Sequence, residues 1–144
     1  MRKIYLLLPD LSAGGAERVT ITIARLLKKN GFDVGFVNIG HPKGEMYDWI
    51  VPEFQMISLG CRRVIAAIPK LISFMNKHKE AKFFSSREHV NIIGLLCAKI
   101  TGREIIVRMP NMPKNKLVSG VSGVKASVIT NINKRLLKSG NWVI

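Results

Sequence analysis

Short runs rich in β-branched, aliphatic and aromatic residues alternate along the chain with longer stretches whose apolar positions repeat at helical spacing. The short runs fall at 4–8, 33–38, 55–59, 82–85, 104–108 and 142–144, and helical patterns separate most of them. In 4–8 and 105–107 the apolar character is continuous rather than alternating, which suits strands covered on both faces. The fold class that follows is α/β, a doubly wound parallel sheet of the Rossmann-like kind.

The first helix is expected to begin near Ala16, where Glu17 complements the positive end of the helix dipole, and to stop at Asn30-Gly31, with Gly31 as a left-handed cap. Val19, Ile23, Leu26 and Leu27 recur at helical spacing along it. The second helix spans 62–79, kinked or restarted at Pro69, which has no N–H to give to the ladder. Counted at about 100° per residue from Arg62, residues Val64, Ile65, Ile68, Leu71, Ile72 and Met75 share one arc, the expected core face. Arg62, Arg63, Lys70 and Lys77 gather opposite, with Phe74 at their edge. A third helix covers 89–101 and ends at Gly102, and a fourth covers 123–139 and ends at Gly140. The loop 41–52 carries no readable element; in 112–122, Pro113, Gly120 and the nearby Gly123 suggest a flap near the ligand edge of the sheet. The last strand has no helix after it, so the chain is expected to be part of a larger doubly wound protein.

At 144 residues and 47% apolar content the chain is expected to form one domain. Its charge changes the picture: 23 Lys and Arg against 9 Asp and Glu leave a net +14. Such an excess calls for a polyanionic partner, whether nucleic acid, anionic lipid or a phosphorylated substrate. Cys61 and Cys97 are far apart and lack metal-ligand spacing, so they read as buried thiols. The basic start Arg2-Lys3 resembles a leader, but its apolar run breaks at Pro9-Asp10, too early for a signal peptide. No stretch reaches the roughly 20 apolar residues of a membrane span. The expected location is the cytoplasm, peripherally associated with the inner face of a membrane.

Between the first strand and the first helix lies Pro9-Asp10-Leu11-Ser12-Ala13-Gly14-Gly15-Ala16-Glu17-Arg18, at the carboxyl edge where α/β sheets hold ligands. Adjacent glycines let backbone N–H groups at a helix start approach a phosphate or a sugar hydroxyl; equally, they make a tight turn and nothing more. One of the pair is expected to take positive φ, and Gly15 to stand where a Cβ would intrude on the cleft. A dinucleotide fingerprint is absent, since the loop lacks G-x-G-x-x-G and the second strand ends in Asn38-Ile39 rather than an acid. There is no P-loop lysine. No paired carboxylates, Ser/His/Asp set or metal constellation stands out, so catalytic residues are left unassigned and no metal or other cofactor is expected.

The opening 3–9, the element Gly14-Gly15-Ala16-Glu17-Arg18, the helix end at 26–31 and the strand 34–38 together resemble the start of group-1 (family 4) glycosyltransferases. The later run 84–93, then Gly102 and 105–111, resembles the same family's fourth and fifth strands and the helix between them. This resemblance implies one half of a GT-B fold: the acceptor-side domain of a metal-independent, retaining enzyme whose nucleotide-sugar half is absent from this chain. It also implies a lipid-linked or saccharide acceptor in surface polysaccharide synthesis, and no transfer by this chain alone. Two alternatives stay open: a basic α/β nucleic-acid-binding module, which no recognised nucleic-acid motif supports, and a fragment of another Rossmann-type nucleotide-sugar enzyme.

By the same resemblance, Gly14, Gly15, Glu17 and Arg18 form the loop facing acceptor or donor phosphate, although Glu17 also reads as a helix-start charge and Arg18 as a solvated one. Arg87, Glu88 and His89, just after the fourth strand, are acceptor-binding candidates, with surface and capping roles as the plain alternative. Arg108 offers a planar fork for phosphate and Asn111 an amide for hydroxyls, or both anchor a loop. Asn91 reads as a possible cap. The basic face Arg62, Arg63, Lys70 and Lys77 is the expected contact with an anionic membrane, with Lys125, Lys134, Arg135 and Lys138 as the substitute.

Overall fold

The computed structural model describes residues 2–109 and 142–143. They form β1 (Lys3–Leu8), α1 (Gly15–Lys29), β2 (Asp33–Asn38), α2 (Tyr47–Ile50), β3 (Gln55–Ser58), a 3-10 turn (Ile65–Ala67), α3 (Ile68–Lys77), β4 (Lys82–Ser85), α4 (Glu88–Thr101), β5 (Ile105–Val107) and β6 (Trp142–Val143). The strands make one sheet in the order β3-β2-β1-β4-β5-β6, and every neighbouring pair is parallel. The doubly wound parallel sheet expected from the sequence is therefore present.

The continuous apolar run of β1 has a direct cause. Successive side chains point to opposite faces, and both faces are covered. Leu6 and Leu8 pack with Ile21, Ala24, Val34 and Phe36 on the α1 side. Tyr5 and Leu7 pack with Leu71, Phe83, Ile93 and Ile105 on the side of α3 and α4. Leu6, Leu7 and Leu8 are all fully buried, each contributing roughly 1.5–3 kcal/mol of transfer free energy. From β1 the chain winds outward through β2 to β3, then crosses back to β4 on the other side of β1. The carboxyl ends of β1 and β4 thus flank the point where strand order reverses, the place where α/β sheets open a crevice.

Helix α1 ends as expected, with Asn30 at its C-cap and Gly31 at φ +84°. Its buried stripe is different from the expected one. Glu17, Thr20, Ile21 and Ala24 are buried, Ile23 and Leu27 are half-buried, and Val19 and Leu26 are exposed. Two polar residues occupy the inner face because Ser86 and Arg87, just beyond β4, receive them, as described below.

The expected helix 62–79 is two pieces. A 3-10 turn precedes α3, and Pro69 sits in the first turn of α3, where a missing N–H costs nothing. Arg62 and Arg63 lie before both, in a bend. Ile65, expected in the core, is 75% exposed, whereas Phe74, expected at the basic edge, is buried. The tighter winding of 3-10 structure shifts the phase of everything before Ile68. Phe74 is drawn in by Tyr5, against which it packs edge-on at 4.9 Å, and by Phe83 at 6.3 Å. The loop expected over 41–52 contains the single turn α2, held by buried Met46 and Ile50 and by the Met46 N–H donating to the Leu11 carbonyl at 3.1 Å. The expected helix 123–139, the flap 112–122 and the basic residues Lys125, Lys134, Arg135 and Lys138 lie outside the described residues.

Candidate functional site

At the crevice, Gly14 is the N-cap of α1 with extended backbone (φ −122°, ψ 171°) and Gly15 is the first helical residue. Neither has positive φ, which corrects the expectation from turn geometry: the chain enters the helix directly from an extended residue. Of the two, the steric need for glycine is at Gly14. A Cβ on Gly15 would meet nothing within 4 Å, whereas one on Gly14 would collide with Glu17 Oε2.

Glu17 is only 1% exposed. Its Oε1 accepts a hydrogen bond from Arg87 Nε at 2.5 Å, in an ion pair whose arginine side chain is 41% exposed. Arg87 is the N-cap of α4, immediately beyond β4. One pair thus joins the first turn of α1 to the loop after β4 across the strand-order reversal. Beneath it, Thr20 Oγ1 and Ser86 Oγ lie 2.8 Å apart, both buried. Among the described residues no other group takes the remaining N–H groups of the guanidinium, and Arg87 Nη2 stands 3.6 Å from the position a Gly14 Cβ would take. The first N–H groups of a helix carry partial positive charge. With the arginine fork beside them they make a rim suited to a phosphate or carboxylate.

The other candidates separate. Arg18 is exposed and lies over the Trp49 ring at 5.6 Å, so it belongs to the outer surface between α1 and α2 rather than to the Glu17–Arg87 pair. Glu88 and His89 are exposed in the first turn of α4. Arg108 is half-buried; its N–H donates to the Ser85 carbonyl at 2.8 Å and its carbonyl accepts from Asn91 Nδ2 at 3.0 Å. Asn91 is therefore no cap but a cross-tie between α4 and the backbone after β5. Asn111 lies outside the described residues. The sequence reading did not single out Thr20, Ser85 or Ser86; the paired serines at and just after the end of β4, both buried, are the signal that was available.

Asn38, which stands where a dinucleotide fold has an acid, is fully buried. Its Nδ2 donates to the His41 carbonyl at 2.8 Å, so it braces the following loop. A cavity of about 470 Å³ opens at the other end of the sheet, lined by Lys3, Lys28, Asp33, Glu53, Phe54 and Gln55 among others. Its charges are already engaged: Lys3 with Asp33 at 2.9 Å, and Lys28 Nζ with the Glu53 carbonyl at 2.6 Å. The crevice at the carboxyl edge is the better candidate, because Arg87 there is 41% exposed and its fork has N–H groups beyond the one given to Glu17. Among the described residues, no three His, Cys, Asp or Glu side chains group in a way that would hold a metal.

No known family profile matches the chain. A stretch of 44 residues, 30% of this chain, is 48% identical to an uncharacterized glycosyltransferase of Haemophilus influenzae, of which it spans 12%. Among solved structures, MurG of Acinetobacter baumannii is similar at TM-score 0.66 and 14% identity, over 99% of this chain and 40% of that one. Sucrose-phosphate synthase of Thermosynechococcus elongatus is similar at TM-score 0.70 and 12% identity, over 99% of this chain and 42% of that one. The Bordetella bronchiseptica enzyme WbmH, solved in complex with NAD+, follows at TM-score 0.59 and 12% identity, over 99% of this chain and 54% of that one. The chain thus spans less than two thirds of each of these proteins, and at such identities the likeness is one of fold. The fold is Rossmann-like, matching that of the GT-B neighbours MurG and sucrose-phosphate synthase, and a 44-residue stretch of the sequence resembles a glycosyltransferase.

Proposed function

We propose that this chain is the acceptor-side domain of a group-1, retaining GT-B glycosyltransferase that moves a sugar from a nucleotide-sugar donor to a lipid-linked or saccharide acceptor in surface polysaccharide synthesis. The observation that carries the reading is the Gly14–Glu17–Arg87 crevice at the strand-order reversal. There, the start of α1 and the Arg87 fork offer positive rim groups to a sugar phosphate, and Glu17 holds the arginine in place. In this reading a second domain supplies the nucleotide-sugar site, and Glu88, His89 and Arg108 border the acceptor. Arg18 is the weakest of the candidates, since it is committed to Trp49. No helix among the described residues is long and apolar enough to cross a membrane; the proposed location is the cytoplasmic face of a membrane, held by peripheral contact.

Calorimetry on this chain tests the division of labour. A lipid pyrophosphate-linked saccharide should bind, and Arg87→Ala should weaken it. UDP-sugars and GDP-sugars should show no tight site. A low-micromolar isotherm for a nucleotide sugar would reverse the domain assignment.

A further inference from the structure

We infer that the turn Arg62-Arg63-Val64-Ile65 is a docking point for an anionic lipid surface, with Ile65 entering the interface and the two arginines engaging lipid phosphates. Three observations carry this. Ile65 is the most exposed of the large hydrophobic side chains among the described residues, at 75%. It is also rigidly presented. The Cys61 N–H donates to the Ile39 carbonyl at 2.8 Å, the Ala66 N–H to Arg63 and the Ala67 N–H to Val64, each at 3.1 Å. Ala67 is buried and Val64 and Ile68 pack on the core, so Ile65 has no route inward.

The charge around it is one-sided. Arg62 and Arg63 are exposed and make no ion pair among the described residues. From Phe54 to Lys79 there is no Asp or Glu, while Arg62, Arg63, Lys70, Lys77 and Lys79 all fall in that stretch. An isolated aliphatic tip between cations suits the boundary of a bilayer, where the apolar group is buried and the charges stay at headgroup level. A polynucleotide would use the cations but leave Ile65 without a role. The structure also redraws the basic helix face read from the sequence. Arg62 and Arg63 belong to the turn, and Lys70 Nζ is engaged by the Leu59 carbonyl at 2.7 Å. The turn follows the carboxyl end of β3 and therefore lies on the same edge of the sheet as the Gly14–Arg87 crevice. The inference deepens the peripheral membrane contact proposed above, but rests on exposure and charge rather than on sugar transfer, so vesicle binding and saccharide binding can fail separately.

Sedimentation of this 144-residue protein with vesicles tests it. Binding is expected to phosphatidylglycerol vesicles, none to phosphatidylcholine vesicles, with release as salt rises. Arg62→Ser/Arg63→Ser should lower the partition coefficient about thirtyfold, on the usual scale for two cations at an anionic surface. Ile65→Ser, which leaves charge unchanged, should lower it about tenfold. The control Lys29→Ser/Lys99→Ser removes the same charge from two other exposed positions and should change it much less. A fluorophore attached through Ile65→Cys should shift to the blue on anionic vesicles. Equal losses for the control and the arginine pair, an indifferent Ile65→Ser, or no vesicle binding would each overturn the proposal. So would preference for single-stranded nucleic acid over anionic vesicles, with Ile65→Ser silent in both.

Discussion

Arg87 Nε donates to Glu17 Oε1 at 2.5 Å between residues 70 apart in sequence, and this one bond ties the start of α1 to the start of α4 across the crevice. The carboxylate is 1% exposed and the arginine side chain 41% exposed, so removing the arginine leaves a buried anion while removing the acid leaves a cation that water can reach. Arg87→Ala is expected to cost about 2–3 kcal/mol, below the range for a fully buried pair because solvent reaches one side. Glu17→Ala should cost less, and the double variant clearly less than the sum of the two. Urea melts of the three variants give the coupling. Strict additivity would mean the bond does not hold in solution.

Gly14 and Gly15 should behave oppositely, although they are adjacent and alike in sequence. Gly14→Ala places a methyl against Glu17 Oε2 and is expected to cost about 1–3 kcal/mol as the carboxylate is displaced. Gly15→Ala enters open space in the first turn of a helix and should be neutral or stabilising by up to about 1 kcal/mol. Thermal melts of the two variants decide it; a destabilised Gly15→Ala would contradict the packing described.

Both cysteines are free and buried, and burial pushes the Cys97 thiol up from 9.0 to about 11. An acid whose pKa is raised on folding keeps its proton in the native state while the unfolded chain has already released it. Stability linked to Cys97 is therefore fully present below pH 9 and is lost as pH rises from about 9 to about 11. Urea midpoints measured across that window should fall more steeply for the native sequence than for Cys97→Ala. Below the window, iodoacetamide should modify Cys97 only as fast as the protein opens.

Leu7 and Leu26 separate burial from hydrophobicity. Leu7 is 1% exposed and Leu26 56%. Leu7→Ala should cost about 2–5 kcal/mol, and Leu26→Ala should stay within about 0.5 kcal/mol of the parent. A large loss at Leu26 would restore the helical stripe read from the sequence alone.

What the sequence determined by itself is whatever neighbouring residues decide together. The unbroken apolar run Leu6–Leu7–Leu8 demands cover on both faces, and so announces a parallel sheet. Gly31 supplies the positive φ that ends α1, and the Gly14-Gly15 pair marks the loop beyond β1. These are local constraints, readable at a spacing of two to four residues. Tertiary structure alone decided which face of a marginal helix turned inward. Ile65 pointed out and Phe74 in because a 3-10 turn broke the phase that a uniform rotation from Arg62 assumes, and because Tyr5 and Phe83 waited on distant strands. Glu17 shows the limit most plainly. As a sequence position it is a charge at a helix start, exposed by default. It became a buried carboxylate only because β4 settled beside β1 and brought Arg87 to it, and no periodicity within α1 carries information about a partner delivered by the crossing of the chain.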